Sequence, residues 1–105
     1  MRNILIRYQA KPEKIAENRE LITKVFAELA AAQPEQFRYA AVELGDGTFV
    51  HFVTAPDDPD ASPLRNIAAF QAFTANIEDR QFAKATQQPM RIVGNYRMLA
   101  ERSDA

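Results

Sequence analysis

Residues 37–54 read FRYAAVELGDGTFVHFVT, and this stretch decides the fold. Two runs rich in aromatic and β-branched residues flank Gly45-Asp46-Gly47. That combination predicts a β-hairpin, with strands over 37–44 and 48–54. Along the second strand Val50 and Phe52 point one way while Phe49 and Val53 point the other. Both faces of the sheet are therefore apolar at this strand. His51, the single histidine of the chain, sits in the middle of it.

Upstream, residues 3–9 (NILIRYQ) alternate as a strand, with Ile4, Ile6 and Tyr8 on one side and Leu5 and Arg7 on the other. Pro12 opens a helix at the position where its missing N–H costs nothing. Ile15, Asn18, Ile22, Val25 and Leu29 then recur at steps of three and four, which is the stripe of an amphipathic helix. Glu20 and Lys24 form an i,i+4 pair on its wet side, and Pro34 ends it near Ala32. Downstream, APDDPDASP (55–63) is too polar and proline-rich to order strongly, so it reads as a mobile loop beside any pocket. Ser62 caps a second helix with Pro63 in its first turn. Leu64, Ile67, Phe70, Phe73 and Ile77 mark its apolar face, and it continues with a kink toward Ala85. Pro89 closes it, and residues 90–99 (MRIVGNYRML) form the last strand, with Gly94 as a bulge.

The order is β-α-β-β-α-β, a ferredoxin-like α+β arrangement over one domain, residues 1–105. Its four-stranded antiparallel sheet carries both helices on one face. The other face would leave an apolar patch in water, and such patches mark association. The expectation is a homodimer packed through sheet faces.

Composition narrows the function classes. The chain has 105 residues, a net charge of -1, 47% hydrophobic and 26% charged residues, and no cysteine. Disulfides, thiol catalysis and cysteine-ligated zinc are thereby excluded. With one histidine and no cysteine, a transition-metal site would need Asp and Glu as its other ligands, and neither metal nor cofactor is expected. No basic stripe of the kind that neutralises phosphates is present, which argues against nucleic acid. No apolar run approaches the ~20 residues that span a bilayer. The N-terminal apolar segment is also too short for a signal peptide. The chain reads as cytoplasmic, without membrane attachment.

The segments YQAKPEKIAENRELI (8–22), DGTFVHF (46–52), PLRNIAAFQAF (63–73) and VGNYRML (93–99) carry a further signal. Together they resemble the dimeric α+β barrel superfamily, which holds the antibiotic-biosynthesis-monooxygenase-like proteins. The layout is most similar to small stand-alone members of no established activity. The resemblance implies two protomers packed sheet against sheet. Haem-degrading members use a tryptophan, an asparagine and a helix-borne histidine; this chain has no tryptophan, and its histidine lies on a strand. Cofactor-free monooxygenases of the superfamily need an apolar pocket between sheet and helices.

The candidate site residues are His51 and Asn18. An imidazole near its ordinary pKa of about 6.5 can exchange protons at neutral pH, and burial would hold it as the neutral base. The competing reading is a structural histidine whose nitrogens are satisfied by backbone, Tyr or Asn. Asn18 occupies a core-stripe position where an unpaired amide would cost about 1–3 kcal/mol, so it either bonds a backbone carbonyl, His51 or a ligand, or reaches water from the edge of the stripe. If both face one interior, each explains the other. Tyr39 and Tyr96 place phenols in strands, and Arg7, Arg91 and Arg97 read as edge or interface cations. Arg80 reads as a helix-end cation offsetting the dipole. Asp57, Asp58 and Asp60 lack the glycine and terminal glutamate of a calcium loop. Two functions compete. One is a small-molecule-binding module with a small apolar ligand and a structural His51. The alternative is a cofactor-independent monooxygenase-like enzyme acting on a small aromatic or polyketide-like substrate, with His51 as general base and Asn18 as its polar partner.

Overall fold

The computed structural model describes residues 1–99. Strand β1 (Arg2–Gln9) leads through a 3-10 turn at Pro12–Lys14 into helix α1 (Ile15–Ala32). Strands β2 (Arg38–Glu43) and β3 (Thr48–Ala55) form the hairpin. Two 3-10 turns, Pro59–Ala61 and Pro63–Asn66, precede helix α2 (Ala68–Thr74). A further 3-10 turn at Ile77–Arg80 leads to strand β4 (Thr86–Pro89). The sheet is antiparallel with strand order β2-β3-β1-β4, the ferredoxin-like topology.

The hairpin closes as its sequence requires. Gly47 takes φ +87°, a conformation that favours glycine, and a Cβ there would press on Ile15 Cδ1 at 3.0 Å. Asp46 Oδ1 accepts from the Thr48 amide at 3.0 Å, which fixes the turn. Helix α1 buries Asn18, Ile22, Val25 and Leu29, the stripe read from the sequence. It stops at Gln33, which adopts a left-handed conformation and donates its N–H to Leu29 O.

Strand register assigns the two sheet faces. Ile4, Ile6 and Tyr8 share one face with Tyr39, Ala41, Phe49, His51 and Val53. Both helices pack on this face, where Phe49, Val25, Phe73 and Tyr8 form the buried core. Burying a side chain such as Val25 or Phe49 contributes about 2 kcal/mol relative to exposure. The opposite face carries Leu5, Arg7, Ala40, Val42, Val50 and Phe52. Among the described residues, no helix lies over it.

Two expectations are corrected. The last strand is Thr86–Pro89, not 90–99. Residues 86–89 pair with Ile4–Arg7 of β1, and Met90 donates to Asn3 O at 2.9 Å. Only Arg2 of β1 lies beyond that bond, so residues 91–99 have almost no strand left to pair with. Pro89 falls at the edge-strand position where a missing N–H breaks no ladder bond. The second helix is also shorter than expected. It ends at Thr74, because Asn76 turns left-handed (φ 58°) and restarts the chain as a 3-10 turn.

Candidate functional site

His51 stands at the centre of β3, 2% exposed, facing the helices. Its Nε2 lies 3.0 Å from Tyr8 Oη, and its Nδ1 lies 2.7 Å from Tyr39 Oη. Tyr8 is opposite Phe49 across the β1–β3 ladder, and Tyr39 is opposite Val53 across β2–β3. One phenol therefore reaches the imidazole from each neighbouring strand. Phe73 of α2 packs against the imidazole with ring centroids 5.8 Å apart.

Asn18 is fully buried and faces the same interior. It does not touch His51 directly. Its Nδ2 donates to Tyr8 Oη at 2.9 Å, and Tyr8 bridges the two. On the other side, Arg80 Nε donates to Asn18 Oδ1 at 3.0 Å. Arg80 also donates to the carbonyls of Phe73 and Ala75, and its guanidinium lies over the Phe73 ring at 5.3 Å. It sits at the C-terminal end of α2 as a helix-end cation, but a buried one, 3% exposed, that also holds Asn18. The 3-10 turn at Ile77–Arg80 reverses the chain and aims this side chain inward. The result is a buried hydrogen-bonded line, Arg80–Asn18–Tyr8–His51–Tyr39, drawn from five separate segments.

Burial controls the electrostatics. It pushes the His51 pKa down from 6.5 to about 4, so the imidazole is neutral at neutral pH. It pushes Tyr8 up to about 12, against the opposing pull of the Asn18 hydrogen bond and the Arg80 charge. Burial raises Tyr39 further still. Both phenols thus keep their protons.

A groove of about 400 Å³ opens in the surface between α1 and β2. Ile22, Phe26 and Ala30 form its helical wall, with Ala41 and Phe49 on the sheet side. Arg19 and Glu43 meet at its rim in a bidentate pair, 2.7 and 2.8 Å, which lowers the Glu43 pKa. A second hollow of about 250 Å³ lies by Arg7, Thr48, Phe82 and Lys84. His51 lines neither. Its cross-strand neighbour Ala41 does line the groove, and Phe26, another lining residue, lies on the Tyr39 ring at 4.8 Å.

The remaining candidates do not converge here. Asp58 caps the 3-10 turn at Pro59, Asp60 pairs with Arg65, and Asp57 pairs with the N-terminal amine. Residues 55–63 line neither hollow. Arg7, Arg91, Tyr96 and Arg97 are exposed. Among the described residues, no three His, Cys, Asp or Glu side chains cluster to hold a metal, and no helix is long and apolar enough to cross a membrane. The sequence reading did not single out Tyr8, and it placed Arg80 only at a helix end, with nothing to mark it as buried. The alternation of Ile4, Ile6 and Tyr8 was the available signal for Tyr8. Arg80 had none, since its inward turn depends on the break at Asn76.

No family model matches this chain, and no curated protein matches it. Solved structures do. An antibiotic biosynthesis monooxygenase matches at TM-score 0.63 and 21% identity, over 90% of this chain and 100% of that one. The NE2512 protein of unknown function from Nitrosomonas europaea matches at TM-score 0.63 and 18% identity, over 90% of each chain. A variant of SnoaB, a cofactor-independent oxygenase from Streptomyces nogalater, matches at TM-score 0.56 and 17% identity, over 91% and 96%. The protein is thus a ferredoxin-like α+β domain. More narrowly, it has the fold of the antibiotic-biosynthesis-monooxygenase-like proteins, as the sequence resemblance implied.

Proposed function

We propose that this chain is a small-molecule-binding module of the monooxygenase-like fold, working as a homodimer packed through its open sheet faces. The observation that carries the reading is the apolar groove of about 400 Å³ between α1 and β2, which falls in the size range of small-molecule sites. Its lining suits a small apolar ligand, with the Arg19–Glu43 pair as the polar group at the rim. The homodimer reading draws on the half-buried Leu5, Val42 and Phe52, on the sheet face that no helix covers. Calorimetric titration with 1-naphthol tests the ligand site. Binding to the wild type that is lost in Ala27→Phe supports it, because Ala27 lines the groove and is exposed. Equal binding by both proteins would refute it.

A second reading is a cofactor-independent oxygenase-like enzyme for a small aromatic or polyketide-like substrate, with His51 as base and Asn18 as polar partner. The neutral imidazole between two phenols favours it. It stands second because both ring nitrogens are engaged and neither hollow reaches them. Oxygen uptake with a panel of hydroquinones and anthrones decides between the two. The enzyme reading requires turnover that His51→Gln abolishes.

A further inference from the structure

The buried line has a direction, and the direction fixes the state of His51. Arginine nitrogens only donate, so the Asn18 atom facing Arg80 Nε must be the carbonyl oxygen. Asn18 Nδ2 then necessarily faces Tyr8 and donates to its oxygen. The Tyr8 hydroxyl hydrogen has one acceptor within reach, His51 Nε2. In a neutral imidazole the proton must then sit on Nδ1, which donates to Tyr39 Oη at 2.7 Å. In the opposite arrangement, Nε2–H would donate to Tyr8 and Tyr39 would donate to Nδ1. The Tyr8 hydrogen would then be stranded with no acceptor, on a residue only 6% exposed. The first arrangement leaves the spare hydrogen on half-buried Tyr39 instead. An unmet donor costs more where water cannot reach it, so the first arrangement prevails.

We propose that Arg80 and Asn18 are positioning residues that lock His51 as the Nδ1–H tautomer and leave the Tyr39 hydroxyl hydrogen as the uncommitted donor at the His51 end of the line. The Nε2 lone pair is committed to Tyr8, so a ligand meets Tyr39 and not His51. Phe26 covers the Tyr39 ring and also walls the groove, so a modest shift of that one side chain would join them. This last step rests on the groove being the ligand site. The ligand class it selects is a small apolar molecule with an acceptor oxygen, such as a quinone or aryl ketone.

The chain's one histidine makes the test direct. Imidazole 15N NMR of the ligand-free protein at neutral pH should show protonated Nδ1 and unprotonated Nε2. An Nε2–H tautomer, or an averaged mixture, would overturn the assignment. Asn18→Asp supplies a control that mere packing would not pass. A carboxylate there accepts from both Arg80 and Tyr8. The Tyr8 oxygen must then accept from His51, and the tautomer inverts to Nε2–H. A folded Asn18→Asp protein that retains Nδ1–H refutes Asn18 as the relay. If that variant does not fold, Arg80→Met in its place should lose the single tautomer, and retention of pure Nδ1–H would refute the role of Arg80. In the ligand arm, 1,4-naphthoquinone should bind the wild type about tenfold more tightly than Tyr39→Phe. Equal affinities overturn the ligand assignment. A wild type that binds no quinone overturns the groove reading itself, a failure that the ligand-free spectrum keeps distinct.

Discussion

Acidification should destabilise this protein through His51, at a pH well above that at which carboxylate protonation matters. Burial holds the folded-state pKa at about 4 against 6.5 for the free side chain. Between those values the unfolded chain binds a proton that the folded chain refuses, so stability rises with pH across the window. The contribution is complete above pH 6.5 and is lost progressively as pH falls from about 6.5 to about 4. The interval is about 2.5 pKa units, and one unit is about 1.4 kcal/mol, so the full loss is roughly 3 kcal/mol, of which about 2 is gone by about pH 5. Glu43 and Asp46, whose pKa values are lowered by Arg19 and Thr48 respectively, act in the same direction but at lower pH, as their depressed folded values are passed. Urea unfolding at several pH values between about 7.5 and 4.5, for wild type and His51→Gln, isolates the histidine. The wild type should lose stability steeply over this range and the variant should not. Parallel profiles would show that His51 is protonated in the folded protein and that its enclosure by Tyr8 and Tyr39 has been misread.

Three further outcomes are expected. Asn18→Leu should cost about 3 kcal/mol in chemical unfolding, because it strands both the Arg80 Nε–H and the Tyr8 oxygen in the core. Gly47→Ala should cost about 1–2 kcal/mol, through the positive φ and the contact with Ile15, and a thermal melt will register it. Phe52→Glu, on the open sheet face, should convert a dimer to a monomer in light scattering while the circular dichroism spectrum is retained; a wild type that is already monomeric at micromolar concentration would remove the dimer from the account.

The parts of the fold visible in the sequence were those set by local periodicity. The hairpin turn at Asp46-Gly47, the α1 stripe from Asn18 to Leu29 and the alternation of β1 each follow from neighbours a few residues apart. The C-terminal third follows a different rule. Pro89 stiffens the chain equally well at a helix stop and at the end of an edge strand, and only the length of β1 left to pair decides between them. The apolar character of residues 90–99 suggested a strand, yet Ile92, Val93, Tyr96, Met98 and Leu99 are exposed and unpaired in the single chain. The site was half visible. Asn18 stood out as a polar residue in an apolar stripe and His51 as the one histidine, and the structure joins them through Tyr8. Arg80 was read only as a helix-end cation, because its burial is a long-range event: a left-handed Asn76 swings it across the interior to a residue 62 positions earlier.

The central claim is that the groove between α1 and β2 is the ligand site. The most direct measurement is an amide NMR titration of the 15N-labelled protein with 1,4-naphthoquinone. Shifts should saturate and concentrate on Ile22, Phe26, Ala27, Ala30 and Ala41, which line the groove. Saturating shifts centred instead on Leu5, Val50 and Phe52, or no shifts at the groove, would contradict that claim.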